Sequence, residues 1–272
     1  MSKQISILGT GWLGLPLAKA LVEKGHIVKG STTSLRKLRQ LKSNTVEPHH
    51  IILKETGVAG EVQSFLADSE LLIINVPPGL RRNPEVNFVA KIRSLIRHIE
   101  KSNVKNVLFV SSTSVFADQE GFPLISEETM PNATSNSGKQ LIEVEQLLQN
   151  HNKFETTILR FAGLFDSRRH PATMLSKRQH VKNPKAPVNL IHLEDCIGVI
   201  QKIIETNHWN EVFNASYPDH PEKAAYYSKA CEQMELPKPD YDFETISKGK
   251  VIESNKVNDI LAYTFKVGLD SF

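Results

Sequence analysis

The sequence contains few cysteines, and their positions argue against both a disulfide framework and a zinc-binding module. Cys196 and Cys231 are the only two among 272 residues, and neither stands in a CxxC or a Cys/His pattern. Disulfide-dependent secreted domains and structural zinc sites need several such residues at short spacing. We therefore expect reduced thiols in a cytoplasmic protein. His49 and His50 lack a further ligand at metal spacing, so no metal site is predicted.

An excess of one charge and a long hydrophobic run are also missing. The chain has 33 lysines and arginines against 30 aspartates and glutamates, with no block of like charge, so we expect no nucleic-acid partner. No apolar run approaches the ~20 residues that span a bilayer, so we expect no membrane partner. Glycines and Pro16 interrupt the mildly apolar start, which argues against a cleaved signal peptide.

What the sequence does contain is an alternation of short apolar runs with amphipathic patterns. Several runs are nearly continuous in Val, Ile and Leu, as in strands that helices cover on both faces. The predicted strands are 4–8, 26–30, 50–53, 71–76, 106–111, 156–161 and 211–215, and the predicted helices are 15–24, 83–101, 137–149, 193–206 and 222–234. This order predicts an α/β protein with a Rossmann-like, doubly wound parallel sheet.

The alternation breaks after Phe161. Residues 164–187 have no clear period and are rich in proline and arginine, and a loop of that length is usually functional. We predict a dinucleotide-binding Rossmann domain over residues 1–163, to which residues 188–216 return. Residues 164–187 and 217–272 are predicted to form a small C-terminal substrate-side lobe.

A glycine-rich turn follows the first predicted strand. It reads Gly9-Thr10-Gly11-Trp12-Leu13-Gly14 and opens a helix. In a GxGxxG turn the first glycine allows the tight bend, the second admits a pyrophosphate, and the third lets helix and strand pack closely. Free N–H groups at the helix start hold the phosphate. We predict dinucleotide binding at these six residues.

The end of the second strand favours NADP, with NAD as the alternative. An NAD-binding protein usually has an acidic residue there for the ribose hydroxyls. This chain instead has Ser31, Thr32 and Thr33, followed by Arg36 and Lys37. Hydroxyls and cations suit a 2′-phosphate, and no carboxylate repels it. The alternative is that the two cations lie on a solvated helix face.

Two further strand ends should border the cofactor, because ligands of doubly wound sheets lie beyond the carboxyl ends of the strands. Val76 and Pro77 end the fourth strand, and Arg81 and Arg82 follow within reach of phosphates or of solvent. The fifth strand runs into the hydroxyl-rich segment 111–114. These hydroxyls are suited to bind a ligand, or else to cap turns and the next helix.

Several segments together resemble the extended short-chain dehydrogenase/reductases, which include nucleotide-sugar epimerases and dehydratases. SSTSVF at 111–116 is similar to the family's SSxxVYG, LRFAGLF follows at 159–165, and the stretch at 191–195 matches an IHVDD-like segment. The resemblance covers nearly the whole chain. It places Ser112 on the catalytic Ser/Thr and Lys139 on the catalytic lysine, which also holds the nicotinamide ribose.

The departures point to an atypical branch of that family. The family pairs its lysine with a tyrosine four residues earlier, and this position is Ser135. A serine hydroxyl is a much weaker acid than a phenol, whose pKa is about 10, so Ser135 is a poor general acid or base. Thr113 and Ser114 stand where dehydratases need an Asp-Glu pair, which argues against sugar dehydration.

On the substrate side, Arg168, Arg169 and His170 are candidates. Two guanidinium groups and an imidazole suit an anionic substrate such as a nucleotide diphosphate, and His170 could exchange a proton near neutral pH. The alternative is a solvated basic loop. His192 and Asp195 are expected to fix a strand-to-helix turn rather than to act chemically.

Three functions fit these observations. The first is an NADP-dependent oxidoreductase or epimerase of the epimerase/dehydratase type that acts on a small polar substrate, with sugar-nucleotide-like compounds as one class. The second is a non-catalytic NAD(P)-binding sensor or scaffold, favoured by the missing tyrosine. The third is a β-hydroxyacid-dehydrogenase-like reductase, which would have an all-helical second half.

Overall fold

A seven-stranded parallel sheet forms the centre of the computed structural model, which describes residues 2–80 and 83–271. The strands of the chain are β1 (Gln4–Leu8), β2 (Ile27–Thr32), β3 (Glu47–His50), β4 (Ile52–Lys54), β5 (Gly57–Ala59), β6 (Leu71–Ile74), β7 (Asn106–Ser112), β8 (Leu124–Ile125), β9 (Glu155–Phe161), β10 (Gly163–Phe165), β11 (Leu190–His192), β12 (Val212–Ala215) and β13 (Val251–Ile252). The central sheet has the order β12-β9-β7-β6-β1-β2-β3. The predicted fold class is confirmed.

Helices connect these strands. They are α1 (Gly14–Glu23), α2 (Leu35–Lys42), α3 (Val62–Leu66), α4 (Phe88–Ile99), α5 (Asn136–Gln149), α6 (Pro171–Leu175), α7 (Leu193–Thr206), α8 (Lys223–Gln233) and α9 (Asn255–Leu261). Within the described ranges, every helix is too short or too polar to span a lipid bilayer.

The strand order reverses direction at β1, and this reversal positions the cofactor cleft. From β1 the chain proceeds to β2 and β3 on one side and then crosses to β6 on the other. Ile7 of β1 pairs with Gly30 of β2 and with Ile73 of β6. The loops after these strands therefore diverge and leave a crevice at their carboxyl ends.

Burial explains why the central strands are continuously apolar. All four residues of β6 are buried, and Ile5 and Ile7 of β1 are fully inaccessible to solvent. On α1, Leu17, Ala18 and Leu21 lie on one face and are buried. Burying a side chain of this size contributes roughly 1.5–3 kcal/mol, so the sheet interior is a main source of stability.

The chain divides into two compact units. The first comprises residues 2–80, 83–115, 133–159 and 203–212, and the second comprises residues 116–132, 160–202 and 213–271. The second has a core that includes Phe165, Leu190, Tyr226, Tyr227 and Cys231. Cys196 and Cys231 are both buried free thiols.

Some predicted elements need correction. The helix predicted to begin at Asn83 begins at Phe88, with Asn87 as its N-cap, whose side chain accepts a hydrogen bond from Ala90 N at 2.9 Å. The predicted strand 50–53 is divided, because β3 pairs with β2 whereas β4 pairs antiparallel with β5. The segment predicted as irregular contains α6 and most of β10, which pairs with β11.

One of the three functional alternatives does not fit this fold. A β-hydroxyacid-dehydrogenase-like reductase would have an all-helical second half. Instead, β9 and β12 extend the central sheet. That alternative is wrong.

Candidate functional site

The glycine-rich turn after β1 has a backbone that only glycine allows at two positions. Gly9 has φ +102°, and a Cβ there would collide with the carbonyl oxygen of Asn75. A Cβ at Gly14 would collide with the carbonyl oxygen of Gly9, so the missing side chain lets α1 approach the turn. A Cβ at Gly11 would meet open space. Gly11 is also exposed, so a ligand can approach the turn at this residue.

Hydrogen bonds from two neighbouring strands fix this turn. Gly9 N donates to Ser31 Oγ at 3.0 Å, and Thr10 donates to Ser31 O through both its backbone N (2.9 Å) and its hydroxyl (2.7 Å). Asn75 Nδ2 donates to Gly9 O at 3.0 Å. The Ser31 hydroxyl, predicted to bind cofactor, thus positions the turn. Sequence reasoning did not anticipate the role of Asn75.

A cleft of about 410 Å³ opens beside this turn, and it lies wholly within the first unit. Eight of the predicted cofactor-binding residues line it: Gly9, Thr10, Gly11, Ser31, Thr32, Thr33, Val76 and Pro77. Trp12, Leu13, Gly14, Arg36 and Lys139 are not among its lining residues. Leu13 is buried, and Gly14 acts through packing instead. Apolar side chains from Ile51 to Leu53 and from Phe88 complete the walls.

The cleft is positively charged. Its described lining residues include two lysines, Lys37 and Lys91, and no aspartate or glutamate. Lys37 is exposed on α2, and Lys91 is half-buried on α4. Arg36, which the sequence favoured, is exposed on α2 outside the cleft lining. Arg81 and Arg82 lie outside the described residues. An anionic ligand would meet cations here, and Lys91 gave no signal in the sequence.

The hydroxyl-rich end of β7 lies against the start of α5. A Cβ at Gly138 would collide with Ala133 Cβ and come within 2.7 Å of Ser114 O, so glycine allows this close packing. Ser112 is half-buried, and its Oγ accepts from Ser114 N at 3.1 Å, which leaves its own proton able to donate. Ser111 Oγ donates to the buried Glu145 Oε1 at 2.5 Å. The structure thus places Ser114, two residues after Ser112, beside the first turn of α5.

Ser135 has a clear structural role. It is the N-cap of α5, where its Oγ accepts from Gly138 N at 3.2 Å. Serine is among the preferred residues at this position because it satisfies an otherwise unpaired helix amide. Lys139, one turn further on, is exposed. Ser135 and Lys139 therefore have the spacing of the family's Tyr-x-x-x-Lys. The position of the catalytic tyrosine is taken by a serine that caps α5.

His170 does not suit proton exchange near neutral pH, and that part of its prediction needs correction. Its ring is 1% exposed; Nδ1 accepts from Ala172 N at 3.2 Å and Nε2 lies 2.9 Å from the Tyr226 hydroxyl. Burial lowers the pKa of His170 to about 4, so the imidazole is neutral at pH 7. Arg168 and Arg169 are exposed in the turn just before it.

His192 and Asp195 both have structural contacts, but only His192 lies at the predicted strand-to-helix turn, whereas Asp195 holds residues 263–267. His192 Nδ1 accepts from Glu194 N at 3.2 Å at the start of α7. The fully buried Asp195 carboxylate accepts from the Tyr263 hydroxyl (2.7 Å), Lys266 N (2.8 Å) and Val267 N (3.1 Å). Within residues 2–80 and 83–271, no three His, Cys, Asp or Glu side chains are grouped to hold a metal ion.

The glycine turn and its cleft agree with a comparison against known families. Residues 9–191 match the family model described as NAD(P)H-binding. The chain belongs to this NAD(P)H-binding family. Its structural neighbours include epimerases and a protein of the short-chain dehydrogenase/reductase superfamily, so the predicted resemblance is confirmed. Thus the chain has an NAD(P)-binding fold of the epimerase/dehydratase type.

A curated relative covers almost the same length. Protein YeeZ of Escherichia coli (strain K12) is 28% identical over 266 residues, which are 97% of this chain and 96% of YeeZ. Its name states no activity.

Two solved structures show the same fold at lower identity. UDP-glucose 4-epimerase of Thermotoga maritima, solved with UDP-glucose, superposes with a TM-score of 0.80 at 16% identity and covers 98% of this chain and 95% of the epimerase. A short-chain dehydrogenase/reductase superfamily protein of Agrobacterium tumefaciens with bound NAD has a TM-score of 0.77 at 17% identity, over 98% of this chain and 94% of that protein.

Proposed function

We propose that this protein binds NADP(H) in preference to NAD(H) and uses it as an oxidoreductase or epimerase on a small polar substrate. The observation that carries the cofactor preference is the charge of the cleft: Lys37 and Lys91 line it, and no described lining residue is acidic. A 2′-phosphate carries added negative charge that these ammonium groups can bind, whereas NAD lacks it.

The residues of the glycine turn would hold the rest of the cofactor. Gly9 N and Thr10 N already donate to Ser31, so the amide of the exposed Gly11, just before α1, would be the one that faces the pyrophosphate. Ile52 and Leu53 offer an apolar surface to a flat base. When bound, the nicotinamide would supply or accept a hydride.

Near the nicotinamide end of the cofactor, Ser112 and Lys139 would be available to bind the substrate or the ribose. Ser112 accepts one hydrogen bond and can donate its proton to a substrate oxygen. Lys139 is an exposed cation next to Gly138, the α5 residue that packs against Ser114 O. It can hold a ribose hydroxyl or stabilise a developing negative charge. Ser135 is committed to its helix cap and remains a weak acid.

For the substrate, we propose an anionic compound such as a nucleotide diphosphate sugar. Two neighbouring structures contain UDP-glucose, one of them an epimerase. Arg168 and Arg169 are exposed at a turn in which Asp166 Oδ1 accepts from Arg168 N at 2.9 Å. Guanidinium groups held on an ordered turn suit a diphosphate.

The missing phenol supports a second candidate, a non-catalytic NADP(H)-binding sensor or scaffold. The two candidates share the cofactor site and differ in chemistry. Fluorescence titration with NADPH and NADH tests the site, and equal affinities would refute the 2′-phosphate assignment. Transfer of deuterium from labelled NADPH to a panel of carbonyl compounds, UDP-4-keto sugars included, tests the chemistry. Transfer supports the enzyme, and its absence across the panel supports the sensor.

A further inference from the structure

A second cleft, of about 600 Å³, lies wholly within the second unit. It is formed by the loop after β12, the segment around β13 and α9, and residues 263–265. Its volume is in the range of roughly 300–1,000 Å³ that small-molecule sites occupy. It shares no lining residue with the cofactor cleft, and none of the predicted site residues lines it. Its features therefore need an explanation of their own.

Three aromatic rings form part of its wall. The Phe265 ring lies edge-to-face with Tyr217 (6.5 Å between centroids) and with Tyr263 (5.8 Å). Tyr263 is held in place because its hydroxyl donates to Asp195 at 2.7 Å. A fixed aromatic wall offers apolar faces without loss of side-chain freedom on binding. This wall suits a ligand with a flat apolar face.

Several polar groups at the cleft have unused hydrogen-bonding capacity. In the described part of the chain, the side chains of Asn258 and Thr264 and the Tyr217 hydroxyl make no hydrogen bond. His220 Nδ1 donates to Val188 O at 3.2 Å, which leaves Nε2 as an acceptor. Burial lowers the pKa of His220, so its ring is neutral at pH 7. Donors and acceptors are therefore both available to a ligand.

The charge of the cleft disfavours anions. Its described lining residues include no lysine or arginine, and they include one carboxylate, Glu253, whose Oε1 accepts from Asn255 Nδ2 at 2.5 Å. Lys266 holds its Nζ 6.0 Å from the Tyr263 ring centroid but is not a lining residue. A phosphate would thus meet a negative charge with no cation in the wall. The cleft differs in this respect from the cofactor cleft with its two lysines.

We propose that this cleft is a binding site for an uncharged, hydroxyl-rich ring compound of the sugar class. The C–H face of such a ring can pack on Phe265 and Tyr217, while its hydroxyls bond to Asn258, Thr264 and His220. Each of these side chains can form a hydrogen bond with a ligand hydroxyl, and each can bond to water when no ligand is bound. The proposal does not depend on the cofactor preference.

Saturation-transfer NMR on the full chain tests the proposal. The probes are D-glucose, D-galactose and N-acetyl-D-glucosamine at millimolar concentration, each compared with its monophosphate. We expect transfer to at least one neutral sugar and a weaker signal from its monophosphate. Absence of transfer to all three neutral sugars would overturn the proposal, as would monophosphate binding that equals neutral-sugar binding and is weakened equally by Asn258→Leu.

Variants locate the binding. Asn258→Leu should weaken the neutral sugar about fivefold, the loss expected for one hydrogen bond of about 1 kcal/mol. Asn152→Leu replaces an exposed asparagine of the first unit and should change nothing, which makes it the matched control. Circular dichroism and the thermal unfolding midpoint of the full chain should be unchanged in both variants, which shows that each is folded. Sugar affinity of Asn258→Leu equal to that of the unaltered chain would contradict the site.

Discussion

The Ser31 hydroxyl accepts a hydrogen bond from Gly9 N at 3.0 Å, so a residue at the end of β2 fixes the glycine turn that follows β1. From its place at the end of β2, Ser31 was predicted to bind the adenosine end of the cofactor. The arrangement makes the shape of the turn depend on a side chain 22 positions further along the chain. We therefore expect cofactor binding and local stability to be coupled at Ser31.

Replacing Ser31 with alanine tests this coupling. Ser31→Ala leaves the Gly9 amide without its partner, which costs about 1 kcal/mol of stability and weakens NADPH and NADH by the same factor. Thermal unfolding and fluorescence titration measure the two effects. Ser34→Ala, an N-cap residue whose side chain makes no capping hydrogen bond, is the control. A loss confined to NADPH would show that Ser31 contacts the 2′-phosphate instead.

The cofactor preference should depend on Lys37 rather than on Arg36. Lys37→Met removes a cation from the cleft lining and should weaken NADPH about tenfold, with little change for NADH, because a charge-assisted hydrogen bond contributes about 1.5 kcal/mol. The adjacent Arg36→Met should leave both affinities nearly unchanged. Titrations at low and high salt check the electrostatic origin, since salt weakens the interaction. A larger effect at Arg36 would reverse this assignment.

Restoring the phenol tests the role of the α5 start. Ser135→Tyr removes the N-cap hydrogen bond and should cost about 1 kcal/mol of stability, while NADPH affinity stays intact. Ser135→Ala removes the same cap without adding a ring. A gain of deuterium transfer in the tyrosine variant alone would show that the position faces the reacting atoms. Loss of NADPH binding in the tyrosine variant but not in the alanine variant would mean that the ring blocks the cofactor.

Acid should destabilise the second unit through His170. Its folded pKa of about 4 lies below the unfolded value of 6.5, so the unfolded chain binds a proton first as pH falls. Stability is then lost between these values, by at most about 3 kcal/mol. His170→Gln should flatten this part of the pH dependence. Urea unfolding at about pH 7 and about pH 5 measures the slope, and identical slopes for the two proteins would contradict the prediction.

The sequence predicted the central sheet well because parallel strands that are buried on both faces have nearly continuous apolar sequences. The predicted bounds of β1 and α7 match the structure residue for residue. It failed at α4, where Asn83-Pro84 resembles a helix start as strongly as Asn87 does. Long-range contacts decide that boundary: Glu55 Oε1 accepts from Asn87 N at 2.8 Å, and Gln140 Oε1 accepts from Phe88 N at 2.6 Å.

The sequence predicted the part of the site that depends on backbone conformation. It did not predict the side chains whose positions depend on how distant elements pack. The glycine spacing predicted the turn because it encodes backbone conformation. Lys91 lies on α4, so its place in the cleft depends on how that helix packs, which no local pattern shows. The same reason applies to His170, because the rings that pack against it include Tyr226 and Tyr227, more than 50 positions later in the chain.

The buried carboxylate of Asp195 has a consequence for synthesis of the chain. Its three hydrogen-bond donors all belong to residues 263–267. Until those residues have been synthesised, the Asp195 carboxylate must bond to water or to another group. We therefore expect the second unit to bury Asp195 only after residues 263–267 have been synthesised, because burying an unpaired carboxylate is costly.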